Sequence, residues 1–240
     1  MSAERYIEKI QDLIYRIKGT QYDKIVKVSS IFASKIKEDK MIHVFGTGHS
    51  HIIGIEMFVR AGGLANINAM LDDTITTAAG ARKGSEMERL SGLAEIIWDQ
   101  YNIDKEDVMI IISNSGRNAV PVEMAMKAKE EGLTLIAITS MSHSKSCASR
   151  HPSGKRLFEI ADIVLDNCVT EGDSLLDFNG VRSGPGSTVA GAVIVNSIVA
   201  ETLKLLNEEN YKLPIFTSQN MDGYNNDDLY EKYAGRVKHM

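Results

Sequence analysis

Asp107-Val-Met-Ile-Ile-Ile-Ser-Asn-Ser-Gly-Arg-Asn118 is the stretch of the sequence that decides the fold. Its first part, Val108 to Ile112, is continuously apolar, mostly β-branched and too short for an isolated helix. Such a run is typical of a strand that is buried on both faces, and strands of that kind belong to parallel sheets covered by helices.

Polar residues follow this strand at once. Ser113-Asn-Ser-Gly116 supplies hydroxyls, an amide and a flexible glycine, and Asn118 can cap a helix that has Pro121 in its first turn. Unpaired N–H groups at a helix N-terminus carry partial positive charge, so a phosphate can bind there while serine hydroxyls donate to its other oxygens. The alternative is an ordinary strand-to-helix loop with a serine cap.

Composition narrows the classes of function. The chain has 240 residues, a net charge of −5, no basic block and two cysteines without metal-ligand spacing. We therefore expect no nucleic-acid partner, no membrane partner, no bound metal and no cofactor. The start of the chain lacks a signal pattern and no apolar run suggests a membrane span, so we expect a cytoplasmic protein.

Two apolar stripes with helical spacing occupy residues 2 to 38, and Gly19-Thr20 separates them. They predict an N-terminal helical hairpin over residues 1–40, ahead of an α/β domain over residues 41–210. Residues 211–240 are predicted to form a tail that packs on the domain or on a partner subunit. The apolar stripes and a helix from Thr188 to Leu206, apolar nearly all round, predict a homodimer or homotetramer.

Two further strands end in loops of the same kind. Met41 to Phe45 leads into Gly46-Thr-Gly-His-Ser50, and Leu133 to Ile138 leads into Thr139-Ser-Met-Ser-His-Ser144. The first loop lacks the third glycine and the downstream acid of a dinucleotide fingerprint, which argues against a nucleotide cofactor. Together with strands at 64–68 and 160–165, the pattern predicts a three-layer, doubly wound, five-stranded parallel sheet.

Hydroxyl-rich loops after successive buried strands resemble those of the sugar isomerase (SIS) domain, and the Ser-x-Ser-Gly-x-Asn pattern at 113–118 is the most specific part. The resemblance covers about residues 2 to 210 and includes phosphoheptose isomerases and related phosphosugar-binding proteins. It implies a flavodoxin-like sheet that binds a sugar phosphate at the carboxyl ends of its strands. The implied binding residues are Gly46, Thr47, Gly48, Ser50, Ser113, Asn114, Ser115, Gly116, Arg117, Asn118, Thr139, Ser140 and Ser144.

An aldose–ketose isomerase that works through an enediol requires a base near C2 and an acid near the carbonyl. Ser85-Glu-Met-Glu88 matches a capping box, which gives Glu88 a structural role and leaves Glu86 freer to reach a ligand. We therefore expect Glu86 as the base and His49 as the acid. The other candidates are His51, Glu56 and Glu171.

Two other functions stay open. Phosphoheptose isomerases place a histidine on the last core helix, whereas Val189 to Leu206 contains none. The chain could instead bind a sugar phosphate without chemistry, as SIS domains attached to regulators do. It could also act as a lyase on the ether of an N-acetylmuramic acid phosphate, which uses the same fold and a glutamate.

Overall fold

Five parallel strands form the central sheet of the computed structural model, which describes all residues from Met1 to Met240. The strand order is β2-β1-β3-β4-β5, and each neighbouring pair is parallel. The predicted doubly wound parallel sheet is confirmed. Its strands are β1 (Ile42–Gly46), β2 (Ile67–Ala69), β3 (Val108–Ile112), β4 (Thr134–Thr139) and β5 (Ile163–Asp166).

Helices cover both faces of the sheet, as continuously apolar strands require. One face packs against α1 (Ser2–Lys37), α2 (His51–Met57) and α7 (Ser187–Glu208), in a core of 27 buried residues that includes Phe32 and Ile110. The other face forms a core of 18 buried residues that includes Phe45 and Trp98. α4 (Leu93–Trp98) and α5 (Ala119–Glu130) contribute residues to this second core. The other two helices between β2 and β5 in the chain are α3 (Ala81–Met87) and α6 (Met141–Ser146).

The N-terminal segment is one continuous helix of 36 residues, so the predicted helical hairpin is wrong. Gly19 lies in the helix interior with no atom within 4 Å of the place a Cβ would take. A glycine there costs the helix about 1 kcal/mol relative to alanine. Burial of Leu13, Ile17 and Phe32 against α7 outweighs that cost, because each large apolar side chain contributes about 1.5–3 kcal/mol. α1 therefore belongs to the core of the α/β domain.

α7 is the one helix whose length and composition would suffice to cross a membrane. Ala190, Ile194 and Ile198 on this helix are fully buried, and they belong to the core that the helix shares with α1. Its packing identifies it as a core helix.

Residues 170–187, predicted only as a long loop, form a small hairpin of β6 (Leu176–Phe178) and β7 (Val181–Ser183). Its turn has positive φ at Asn179 (56°) and Gly180 (89°), the backbone of the Asn-Gly turns that favour hairpins. Asp173 Oδ1 accepts the N–H groups of Gly186 and Ser187 at 2.9 Å each, so the hairpin base caps α7.

The C-terminal tail packs along the β2 edge of its own chain. Phe216 and Tyr233, the latter at the end of α8 (Asp227–Tyr233), share a small core with Met41 and Ala65. Asn68 on β2 donates to the carbonyl oxygen of Arg236 at 3.2 Å. The tail thus covers a sheet edge that would otherwise expose unpaired backbone groups.

Candidate functional site

The order of the strands locates a ligand site. The chain moves from β1 to β2 in one direction and then crosses to β3 on the other side of β1. Helices that start on opposite sides leave a crevice outside the carboxyl ends of β1 and β3, and open α/β sheets bind ligands at that point. The loops 46–50 and 113–118 follow these two strands directly, so the structure brings together two of the three predicted loops.

Glycines shape the loop after β1. A Cβ on Gly46 would lie 2.7 Å from the backbone carbonyl of Ser50, so only glycine allows the chain to fold back so tightly. Gly48 has φ +55°, which also favours glycine. The loop leaves His49 exposed, Ser50 half-buried and the Thr47 side chain buried.

The loop after β3 offers unpaired donors. Ser113 Oγ accepts the N–H of Gly116 at 3.2 Å, which closes the turn, while the Ser115 side chain is half-buried and bonds to nothing in the chain. The backbone N–H groups of Ser115, Arg117 and Asn118 donate to no acceptor in the chain. These groups precede the 12-residue helix α5, whose N-cap position is Asn118, as predicted. A phosphate would satisfy several of them at once.

The loop after β4 supports the 113–118 loop with side chains that are buried in the protein interior. Thr139, Ser140 and Ser144 are fully buried, so their hydroxyls do not face a ligand. Thr139 Oγ1 donates to the Asn114 carbonyl at 3.0 Å, and Ser144 Oγ donates to the Ser115 carbonyl at 2.8 Å. Ser140 Oγ donates to the Val169 carbonyl at 2.6 Å. The hydroxyls of Thr139 and Ser144 therefore hold the 113–118 loop in place, whereas that of Ser140 holds the segment after β5.

The sequence assigned the two glutamates of the 85–88 segment the wrong way round. α3 begins at Ala81, so Ser85 lies inside the helix and no capping box forms. The side chain of Glu86 is 64% exposed and pairs with Arg82 at 3.1 Å, away from both loops. Residues two apart on a helix face different sides, so Glu88, the C-cap residue, points to the crevice instead.

Glu88 joins the two loops. Its Oε2 accepts the hydroxyl of Thr47 at 2.8 Å, and its Oε1 accepts the side-chain amide of Asn118. The carbonyl oxygen of Glu88 also accepts the N–H of Val120 in α5, at 3.1 Å. A half-buried carboxylate between the two loops is a candidate for proton transfer or for binding sugar hydroxyls.

Arginines gather beside this carboxylate. Arg150 Nη1 donates to Asn118 Oδ1 at 2.9 Å, and the N–H of Arg150 bonds to the carbonyl of Arg117 at 2.8 Å. Burial first, and then the positive charges of Arg117 and Arg89, lower the pKa of Arg150. The sequence prediction missed Arg89 and Arg150, because neither stands in a strand-exit loop.

The remaining candidates lie outside the contact between the two loops. His51 is buried, with Nδ1 at 3.4 Å from the Gly46 carbonyl, and burial lowers its pKa. Glu56 pairs with Arg60 at 3.2 Å and accepts a bond from Asn196 on α7. Glu171 is exposed at the base of the hairpin.

Five cavities of 230 to 610 Å³ lie elsewhere in the chain, and no residue of the three loops lines them. The cavity of 410 Å³ sits at the opposite end of the sheet, between Lys40, Asp104 and Arg236. No group of three or more His, Cys, Asp or Glu side chains is arranged to hold a metal ion. None of these five cavities includes the crevice at the loops, where the polar groups are hydroxyls, amides and charged side chains.

This fold and crevice define a doubly wound α/β protein with unpaired N–H groups where its central strands end. The SIS domain profile matches residues 5–140. A UPF0309 protein from Caldanaerobacter subterraneus subsp. tengcongensis is 42% identical over 98% of this chain and 98% of its own length. The chain therefore belongs to the SIS domain family, and within it to the UPF0309 proteins.

Two solved structures share the fold. A phosphoheptose isomerase from Francisella tularensis has a TM-score of 0.56 at 16% identity, over 85% of this chain and 97% of its own. A hypothetical protein from Methanococcus jannaschii, whose structure infers a molecular function of 3-hexulose-6-phosphate isomerase, has a TM-score of 0.54 at 20% identity, over 84% and 90%. At these identities the likeness establishes the fold.

Proposed function

We propose that the chain binds a sugar phosphate in the crevice between β1 and β3 and isomerises it between aldose and ketose. The observation that carries the proposal is the set of unpaired N–H groups at Ser115, Arg117 and Asn118, beside the free hydroxyl of Ser115. A phosphate dianion there would accept several bonds and lie at the positive end of α5. Membership of the SIS domain family and the two isomerase-like folds support the same ligand class.

The 113–118 loop forms the proposed phosphate cradle, and hydrogen bonds from buried hydroxyls hold it in shape. Ser144 and Thr139 fix the carbonyl groups of the 113–118 loop from behind, and Gly116 turns it with φ +57°. Since the loop's carbonyls point at these buried hydroxyls, its N–H groups are left to face the crevice. Preorganised donors bind an anion without the cost of ordering the loop.

Isomerisation requires a proton to leave C2 and to arrive at C1 through an enediol. In this proposal Glu88 takes the proton from C2 while an acid protonates the carbonyl oxygen at C1, which gives the enediol. Glu88 then returns the proton to C1, and the conjugate base of the acid removes the proton of the C2 hydroxyl, so that the carbonyl re-forms at C2. Glu88 replaces the predicted base Glu86, which faces solvent and pairs with Arg82. His49, exposed on the loop after β1, is the proposed acid.

A second candidate function is binding without chemistry. Both oxygens of Glu88 already accept a hydrogen bond, from Thr47 and from Asn118. Glu88 could then serve only to hold sugar hydroxyls, and the protein would act as a sensor of its ligand.

The proposed site is completed by a second copy of the chain. The loops line none of the cavities described above, and α2, the helix that follows the loop after β1, exposes Ile52 and Ile55. A groove of 270 Å³ between α1 and α7, lined mostly by apolar side chains such as Ile14, Tyr22 and Val193, is open on the same side of the sheet. A homodimer or homotetramer would cover these apolar surfaces. Sedimentation as a monomer at micromolar concentration would refute this.

Proton exchange at C2 tests catalysis directly. The protein is incubated in heavy water with hexose, pentose, heptose and amino-sugar phosphates, and deuterium at C2 is followed by NMR. We expect exchange with at least one sugar, loss of exchange in Glu88→Gln, and normal exchange in the matched variant Glu86→Gln. Binding to the wild type without exchange would favour the sensor, and release of lactate from a muramic acid phosphate would identify the lyase.

A further inference from the structure

Three arginines converge at one side of the crevice without a carboxylate partner. Arg89, Arg117 and Arg150 take part in no ion pair within 4 Å, and the charges of Arg117 and Arg89 act on Arg150. Four other arginines are ion-paired, Arg60, Arg82, Arg156 and Arg236, whereas Arg5, Arg16 and Arg182 are not. Arg89 and Arg117 donate no side-chain hydrogen bond, and Arg150 donates one, to Asn118. A guanidinium carries five N–H donors, so nearly all the donors of this cluster are free.

The surroundings of this cluster concentrate positive charge in an acidic protein. From Ser140 to Phe158 the chain carries Lys145, Arg150, Lys155 and Arg156 and no aspartate or glutamate, although the whole chain has a net charge of −5. Arg117 Nε is buried without a partner. Like charges placed together reduce stability, and an arrangement that costs stability marks a functional site.

The phosphate cradle does not need the whole cluster. Backbone N–H groups, the Ser115 hydroxyl and the adjacent Arg117 can bond the oxygens of one phosphate. Arg150 donates to Asn118 Oδ1, and the amide group of Asn118 donates to Glu88, so the Asn118 side chain links the Arg150 guanidinium to the Glu88 carboxylate. Arg89 follows Glu88 in the chain and is exposed.

We propose that Arg150 and Arg89 form a second anion subsite, so that the ligand is a sugar phosphate with a further negative group, a carboxylate or a second phosphate. This inference rests on the proposed function, because it takes the first phosphate to lie at the 113–118 loop. The guanidinium fork of Arg150 matches either group, since both accept two parallel bonds. If Arg150 served only to hold the Asn118 side chain, one of its donors would be enough and Arg89 would not be needed.

Calorimetric titration with three matched ligands tests the subsite. Glucose 6-phosphate carries one anionic group, glucose 1,6-bisphosphate adds a phosphate, and 6-phosphogluconate adds a carboxylate. At equal ionic strength we expect at least one doubly anionic ligand to bind about tenfold more tightly than glucose 6-phosphate, as a charge-assisted pair allows. The ligand that gains identifies the second group.

Substitutions distinguish the second anion subsite from the phosphate cradle at the 113–118 loop. Arg150→Gln is expected to remove the gain and to change the affinity for glucose 6-phosphate by less than about twofold, and Arg89→Gln, whose side chain bonds to nothing, should act in the same direction. Arg5→Gln, an exposed and unpaired arginine on α1, is the matched control. Thermal unfolding without ligand verifies that each variant folds.

Equal affinity of the wild type for all three ligands would overturn the second subsite and leave the proposed function standing. An equal loss for all three in Arg150→Gln would also overturn it, because Arg150 would then belong to the first phosphate. Binding of none of the three ligands would overturn this inference, whereas the proposed function would then be decided by proton exchange with the wider set of sugar phosphates.

Discussion

The hydroxyl of Thr47 donates to Oε2 of Glu88 at 2.8 Å, and this bond links the loop after β1 to the segment between α3 and α4. The other oxygen of Glu88 accepts from Asn118, which in turn accepts from Arg150 at 2.9 Å. A continuous path of hydrogen bonds therefore crosses the edge of the sheet where β1 and β3 end. One carboxylate fixes the relative position of the two loops.

Removal of the Thr47 hydroxyl should loosen this link. Thr47→Val keeps the shape of the side chain but leaves Oε2 of Glu88 without a donor, so we expect a loss of about 1–3 kcal/mol in the free energy of unfolding and weaker sugar phosphate binding. Thr47→Ser restores the donor and should restore both properties. Chemical denaturation and calorimetric titration of the two variants measure this, and equal behaviour of valine and serine would show that the bond does not matter.

The buried hydroxyl of Ser144 should matter for binding although no ligand reaches it. Ser144→Ala removes the donor to the Ser115 carbonyl, and we expect about 1 kcal/mol of lost stability together with reduced affinity for glucose 6-phosphate. Ser142 lies in the same short helix and is exposed, so Ser142→Ala is the matched control. Unchanged affinity in Ser144→Ala would mean that the loop holds its shape without this support.

Gly116 combines a left-handed backbone with close neighbours. Its φ is +57°, and an added Cβ would lie 3.0 Å from Leu157 Cβ, so Gly116→Ala should suffer both strain and crowding. Gly132 has φ +88° and open space around it. We expect Gly132→Ala to cost about 1–2 kcal/mol from strain alone and Gly116→Ala to cost more. Equal losses in thermal unfolding would show that the contact with Leu157 relaxes freely.

Acid should destabilise the fold through His51. Burial lowers the pKa of His51 below its ordinary value of 6.5, so the unfolded chain binds this proton more readily than the folded one. The stabilising contribution is complete above about pH 6.5 and is lost as the pH falls toward the folded pKa, with a slope of up to about 1.4 kcal/mol per pH unit. His51→Gln should flatten the stability profile below about pH 6.5. A profile unchanged by His51→Gln would contradict this.

Much of the fold followed from residue patterns, since a buried strand such as Val108–Ile112 has a distinctive apolar run and Gly132 marks the end of α5 at φ +88°. The break proposed at Gly19 failed because one weak helix residue is a local signal, whereas the packing of α1 on α7 is a tertiary one. The strands of the 170–187 hairpin were missed, although Asn179-Gly180 carried the signal.

The loops of the candidate site could be predicted, because each follows a strand that the sequence marks. The orientation of the side chains at the site could not. The loops 46–50 and 113–118 meet because parallel strands end at the same edge of a sheet. Glu86 and Glu88 were exchanged because the start of α3 at Ala81 decides which of them faces the crevice. Contacts that join distant segments, such as that of Arg150 with Asn118, leave no pattern in one sequence.

The central claim is that a phosphate binds the amides at the N-terminus of α5, and an NMR titration of the ¹⁵N-labelled protein with glucose 6-phosphate tests it most directly. The account predicts that the largest saturable shifts fall on the amides of Ser115, Arg117 and Asn118, and that Ser115→Ala weakens them. Shifts confined to the opposite end of the sheet, around Lys40 and Arg236, would contradict it.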